Sequence, residues 1–195
     1  MVRASDVAAR SLLPVALLML VATAPPGQGA SISVPAADVA VITNPESAAE
    51  TRILVRFDLP EELAGTTIEF AVVEFRACAV TSDAAGMLTV DVFPVTTEWS
   101  GDAAAWADGW SGAGGDFDRS LHAVWTAAAG ENSVVRFDVT TFARAWASGA
   151  RPNNGMIVLA AVEGAGGVEP DGAAGGPAFP TLTVYYTAAE RHGRR

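Results

Sequence analysis

The chain has 195 residues, half of them hydrophobic, so it is long enough for one domain with a substantial core. All twelve basic residues are arginine, and between Ser31 and Thr187 seven arginines accompany twenty acidic residues, a net charge of about −13. Because such a field repels nucleic acid and anionic membranes, the composition disfavours both as partners.

The first thirty residues predict an export signal. Arg3 and Arg10 supply positive charge, an apolar run from Leu12 to Ala22 follows, and small residues continue to Ala30. An uncleaved anchor is the alternative, although the run is short for a membrane span.

The domain boundaries follow from this signal. The small-residue rule fits a cut after Ala24, and a cut near Ala30 is the alternative. We assign residues 1–30 to the signal peptide, 31–187 to one folded domain and 188–195 to a basic C-terminal tail. The mature chain is therefore expected to be secreted or displayed at the cell surface, without membrane insertion.

Alternation of apolar and polar residues predicts that the domain consists mainly of strands. Val55 and Phe57 alternate with Arg56 and Asp58, and residues 135–138 repeat this string, so the two segments are interpreted as similar strands of one sheet. A bulge is expected where the alternation changes phase after Phe70. Further strands are predicted at 38–42, 68–80, 87–95, 156–162 and 181–186.

One short helix is predicted between the strands. Thr140 or Thr141 can cap it, Phe142 and Trp146 lie four residues apart on one face, and Gly149 ends it. Such a helix would close one end of a β-sandwich.

Two long segments have no periodicity. Residues 163–178 are rich in glycine and are predicted to form a flexible surface loop. Residues 100–132 are far longer than an ordinary connection and carry several tryptophans and aspartates. A long loop of aromatic and acidic character favours a functional role.

The order of several motifs resembles one family. They are Ile53–Leu59, Trp99 with Trp106, Phe137–Thr140, Trp146, Asn153–Gly155 and Pro180–Val184. In this order they resemble the DNRLRE domain family, also described as carbohydrate-binding module family 96 and as disaggregatase-related. The resemblance implies an antiparallel β-sandwich of the jelly-roll type in a secreted protein that binds carbohydrate, and calcium is associated with similar modules.

Candidate ligand-binding residues lie outside these motifs. The tryptophans of the motifs are interpreted as core, whereas Trp110, Phe117 and Trp125 are particular to the long loop. Sugars pack their C–H groups on aromatic faces, so these three residues are the predicted binding platform. Packing of the loop on the sandwich is the alternative for all three.

Two aspartates are candidate calcium ligands. Asp116 and Asp118 lie two residues apart after two glycines, and carboxylates at that spacing in a bent loop can share a hard cation. The alternative is a solvated acidic loop without metal, and no other cofactor is predicted.

No catalytic motif is present in the sequence. The loop carboxylates Asp102, Asp108 and Asp116 are the candidates for a glycosidase, but loop aspartates beside glycines are held loosely for catalysis. His122 is interpreted as a loop histidine rather than a base, and no catalytic residue is assigned. We therefore predict a non-catalytic protein that binds an extracellular or cell-wall polysaccharide. The alternative is a structural or adhesive surface protein that binds another protein.

Overall fold

The computed structural model describes residues 29–81, 87–101, 103–128, 133–160, 167–170 and 180–188. Within them the chain forms ten strands, one turn of 3-10 helix at Glu61–Leu63, and one α-helix, α1, at Thr140–Ala147. The strands in chain order are β1 (Gly29–Pro35), β2 (Asp38–Asn44), β3 (Ser47–Arg56), β4 (Thr67–Thr81), β5 (Met87–Pro94), β6 (Ala123–Ala128), β7 (Ser133–Asp138), β8 (Met156–Ala160), β9 (Gly167–Pro170) and β10 (Thr181–Thr187).

The strands form two sheets. The first has the order β1-β10-β4-β7, with β9 also paired to β4, and the second has the order β2-β3-β8-β5-β6. Every pairing is antiparallel. The predicted all-β sandwich with one short helix is therefore confirmed. Without β2 and β9, eight strands remain in two four-stranded layers, which is compatible with the jelly-roll type; that finer description stays a prediction.

The main core lies between the two sheets. Strands from both sheets contribute apolar side chains at alternate positions, among them Val55, Phe75, Val92 and Phe137, all of which are buried. Helix α1 adds Phe142, Ala143 and Trp146 to this core, as its predicted spacing requires. None of the helices in the described ranges has the length and apolarity that crossing a bilayer demands.

The predicted bulge in β4 is confirmed. Tyr185 of β10 lies opposite Phe70, whereas the next residue, Tyr186, lies opposite Ile68, so Glu69 is an extra residue on β4. Arg144 of α1 donates hydrogen bonds to the carbonyl oxygens of Ile68 and Glu69 at this point. The bulge thus gives the helix its attachment to the first sheet.

The prediction that the two similar segments share one sheet is wrong. Strand β3 belongs to the second sheet and β7 to the first. Both bury the same apolar alternation in the main core, but from opposite sides, so the repeated string reflects a shared environment. Arg56 pairs with Asp38 of β2 at 2.6 Å, and Arg136 pairs with Glu74 of β4.

Two strands lie inside segments predicted as loops. Strand β6 interrupts the 100–132 segment, and β9 interrupts the 163–178 segment. Apart from β9, the residues of the 163–178 segment lie outside the described part of the chain. Half of the residues of β6 are alanine, which is depleted in strands, and β6 is stabilised by its ladder with β5. The connection between β5 and β6 is therefore residues 95–122, here called the long loop.

The long loop packs on the outer face of the second sheet. A second set of buried apolar residues, here called the outer core, lies there and contains Ala40, Ile42, Leu54, Phe93, Val95, Trp99 and Ile157. Half-buried Trp106, Trp110 and Phe117 of the loop pack against it. A sheet face that would otherwise contact solvent is therefore covered by the loop.

The structure also places the ends of the predicted domain. Gly29 and Ala30, assigned to the signal peptide, belong to β1, and the last strand ends at Thr187. The rest of the predicted signal peptide, and all of the predicted tail except Ala188, lie outside the described residues.

Candidate functional site

Arg52 of β3 attaches the long loop to the second sheet. Its guanidinium donates to the Gly114 carbonyl oxygen at 2.6 Å and pairs with Glu50 at 2.7 Å, and it lies 4.5 Å from the centroid of the Trp106 ring. Gly114 has φ +88°, and a Cβ there would lie 2.8 Å from Arg52 Cζ. Glycine is therefore required where the loop backbone meets this arginine.

Asp116 holds two parts of the long loop together. Its carboxylate accepts hydrogen bonds from the Ser111 amide and hydroxyl, from the Gly112 amide and from the Thr97 hydroxyl. The hydrogen bonds from Ser111 lower the pKa of Asp116, and those from Thr97 and Gly112 act in the same direction. The carboxylate is therefore a structural acceptor for the turn.

This geometry predicts a pH dependence. Since the folded-state pKa is lowered, the Asp116 carboxylate stabilises the protein above its ordinary value of 3.8, and this contribution disappears as the pH falls through the folded pKa. We expect the stability difference between wild type and Asp116→Asn to be largest near neutral pH and to shrink below about pH 4. Urea unfolding of both proteins across this range measures it, and a constant difference would contradict the assignment.

Asp118 is engaged in a different way. It pairs with Arg151 and accepts a hydrogen bond from the Ser120 amide at 2.8 Å. No group of three or more His, Cys, Asp or Glu side chains that could hold a metal ion occurs among the residues the structure describes. With both carboxylates bound to protein groups, the geometry of Asp116 and Asp118 favours structural roles over the calcium site predicted for them.

A surface cavity lies between the start and the middle of the long loop. Its volume is about 440 Å³, within the range of roughly 300–1,000 Å³ typical of small-molecule sites. It is here called the tryptophan pocket, and it is lined by Glu98, Trp99, Ser100, Ala103, Ala104, Asp108, Gly109 and Trp110.

Both indole N–H groups of the tryptophan pocket are used inside the protein. Trp99 Nε1 donates to the Asn154 carbonyl oxygen at 2.7 Å, and Trp110 Nε1 donates to the Ala105 carbonyl oxygen at 2.7 Å. These bonds fix the orientation of the two rings. Because both N–H groups are engaged, a ligand contacts these rings through their aromatic carbons. The pocket therefore has rigid apolar walls.

The polar residues of the tryptophan pocket are exposed to solvent. Glu98 and Asp108 are exposed and, across the described ranges, neither carboxylate has a hydrogen bond or salt bridge. The Ser100 hydroxyl is also exposed at the pocket. Acceptors beside fixed aromatic walls are the arrangement with which proteins bind sugars and other polar rings.

The structure separates the three residues predicted to form a binding platform. Only Trp110 lines the tryptophan pocket. Phe117 stacks on Phe93 with ring centroids 5.1 Å apart, and the Arg119 guanidinium lies over it. Trp125 is on β6, where it packs against the main core and contacts the Phe137 ring edge-on at 6.4 Å. Trp110 and Trp125 therefore lie on opposite faces of the second sheet.

No family model and no curated protein sequence matches this chain.

Sequence reasoning missed part of the pocket. Trp99 is buried, as its interpretation as core requires, but it also forms a wall, and its neighbour Glu98 received no role. A carboxylate next to a motif tryptophan at the start of a long loop is the signal that would have identified both. Asp108 appeared only among the glycosidase candidates, and Asp102 lies outside the described residues.

His122 does not line the tryptophan pocket. Its ring hydrogen-bonds Asp91 at 2.8 Å and stacks on Phe93. The histidine thus joins β5 to the end of the long loop.

Proposed function

We propose that the chain is a non-catalytic carbohydrate-binding protein and that the tryptophan pocket binds a sugar unit of an extracellular or cell-wall polysaccharide. The observation that carries this proposal is the combination in one cavity of two fixed indole rings, a hydroxyl, and two carboxylates that have no hydrogen bond or salt bridge within the described part of the chain. Trp99 and Trp110 supply apolar surface for sugar C–H groups, and Glu98, Asp108 and Ser100 accept hydrogen bonds from sugar hydroxyls.

The wider setting of the proposal comes from the sequence. The predicted export signal supports secretion or display at the cell surface, and the motif order supports a jelly-roll module similar to the DNRLRE family. The confirmed two-sheet sandwich agrees with that fold class. Family membership, the jelly-roll type and the location are parts of the proposal.

The way in which the polar groups are held supports the proposal of a non-catalytic protein. Glu98 and Asp108 are exposed and make no bond to the described protein that would fix their position. Acid and base catalysis requires carboxylates held at a set separation, usually by neighbouring groups. The pocket has the rigid walls of a binding site and lacks the fixed carboxylates of a glycosidase.

Replacement of Trp110 tests the proposal. We expect Trp110→Ala to weaken binding to a polysaccharide, identified on a glycan array, by about tenfold or more because an aromatic wall is lost. Trp110→Phe should retain part of the affinity. Trp125→Ala is the matched control: its ring packs on the main core, so the variant should lose about 2–4 kcal/mol of stability while keeping its affinity at permissive temperature.

The outcomes separate the alternatives. If Trp110→Phe and Trp110→Ala both unfold, the loop packing of Trp110 explains its presence and the pocket proposal fails. Retention on no polysaccharide, together with co-purification of a surface protein, would favour the structural or adhesive alternative. Release of reducing sugar ends that Glu98→Gln or Asp108→Asn abolishes would show an enzyme.

A further inference from the structure

The charge at the tryptophan pocket is strongly negative. Glu98 and Asp108 line it, neither with a hydrogen bond or salt bridge to a residue that the structure describes. The nearby cation, Arg56, is held by Asp38 at 2.6 Å and Asp58 at 3.5 Å. The hydrogen bond with Asp38 raises the pKa of Arg56, and the charges of Asp58, Asp38 and Glu98 contribute in the same direction. One guanidinium therefore stands among three carboxylates, of which Glu98 lines the cavity together with Asp108.

The aromatic walls of the pocket favour positively charged ligands, as its carboxylates do. Indole faces carry negative electrostatic potential and attract cations, most strongly where water is displaced. The chain as a whole has a formal charge of −10, which repels anionic ligands at longer range. A uronic acid or sulfated sugar would thus meet three unfavourable terms, whereas an ammonium group would meet three favourable ones.

We propose that the tryptophan pocket selects sugar units that carry a protonated amino group, so that its ligand class is a polysaccharide of deacetylated amino sugars. This inference depends on the proposed carbohydrate-binding function and names its ligand. The pyranose ring packs against Trp99 and Trp110, and the ammonium group donates to the Glu98 and Asp108 carboxylates.

A lysine side chain fits the pocket less well than an amino sugar. It is a linear alkyl chain with one polar group at its end, whereas the pocket offers two carboxylates and the Ser100 hydroxyl around a cavity of about 440 Å³. A sugar ring has hydroxyl groups on several sides and can use these positions together. The distribution of polar groups therefore favours a ring with an amino substituent.

The test compares matched oligosaccharides in one measurement. Isothermal titration of the full chain in mildly acidic buffer would use hexamers of β-linked glucosamine, N-acetylglucosamine, glucose and a uronic acid. We expect the glucosamine hexamer to bind about tenfold more tightly than the N-acetylated and neutral hexamers, the uronate to bind weakest, and added salt to reduce this preference.

Two variants and one control locate the effect. Glu98→Gln and Asp108→Asn should each reduce the preference for glucosamine over glucose by about fivefold or more, with unchanged melting temperature. Glu69→Gln removes the same charge from exposed Glu69 on the first sheet, and its preference should equal that of wild type.

Each result has a distinct meaning. Equal affinity for the glucosamine, N-acetylated and neutral hexamers, or variants indistinguishable from the control, would overturn the amino-sugar inference and leave carbohydrate binding intact. Tightest binding of the uronate would overturn the charge argument. Binding of no hexamer would overturn both proposals. Displacement of the glucosamine hexamer by a lysine-rich peptide at equal concentration would show that the pocket binds ammonium groups of peptides, and it would overturn the amino-sugar inference.

Discussion

Gly155→Ala is expected to lower the free energy of unfolding by about 3 kcal/mol or more. Gly155 has φ +80°, which an alanine adopts at a cost of roughly 1–2 kcal/mol. An added Cβ would also lie 2.9 Å from Arg56 Cα and closer still to the Val55 carbonyl oxygen. Both neighbours are backbone atoms at the end of β3, an inner strand of the second sheet, so relief of the clash requires β3 to move away from the start of β8.

Gly65→Ala provides the matched control for this substitution. Gly65 has φ +75°, nearly the same conformation, but a Cβ there meets no atom within 4 Å. We expect it to cost only the conformational part, about 1–2 kcal/mol. The difference between the two variants in urea unfolding then measures the close approach at Gly155. Equal losses would contradict a steric cause.

Arg52→Met is expected to release the long loop and to lower stability by about 2–3 kcal/mol. Methionine keeps most of the volume but loses the bond to the Gly114 carbonyl, the pair with Glu50 and the stacking on Trp106. Glu50 is then left mostly buried, with its side chain 12% exposed, and with Asn44 as its remaining side-chain donor.

The measurement for Arg52→Met is local as well as global. Burial raises the pKa of Glu50, but the hydrogen bonds from Asn44 and Arg52 and the Arg52 charge lower it by more, so loss of Arg52 should raise this pKa. The Gly114 amide donates a hydrogen bond to the Trp106 carbonyl oxygen. In Arg52→Met, its native-state hydrogen exchange should be faster than in wild type, and the increase should be larger than for amides in β4. Binding to the tryptophan pocket should weaken in parallel.

Arg136→Met is the control for the loss of an arginine ion pair. Arg136 pairs with Glu74 on the exposed face of the first sheet, where the two side chains are 62% and 50% exposed. Solvent screens such a pair, so its loss should change stability by less than about 0.5 kcal/mol. A larger loss than in Arg52→Met would contradict the attachment role of Arg52.

The sequence predicts those parts of the fold whose stabilising pattern is local. Alternating Ile53 and Val55 identify β3, and the spacing of Phe142 and Trp146 identifies α1, because each pattern is set by the period of its own element. Strand β6 escapes prediction since its alanines have little strand propensity and its stability comes from pairing with β5.

The candidate site was harder to predict, because it depends on packing between distant segments. Leu54 has the same phase in the alternation as Arg56, which predicts that it faces outward, yet it is fully buried under the long loop, as is Ile157. Apolar residues on the face assigned to solvent are the one signal in the sequence that this face is covered. Which loop residues then remain free for a ligand depends on side-chain contacts that no periodicity records.

The position of the long loop has a consequence for how such proteins diversify. The loop leaves β5 and returns in β6, which are hydrogen-bonded neighbours, with Val92 opposite Ala123. Its two ends therefore lie side by side, and the entropy of closing a loop grows only slowly with its length. Insertions or deletions here leave the ladder intact, provided that the residues of the outer core change with them. Exchange of this one segment of coding sequence can therefore give the same sandwich a different ligand specificity.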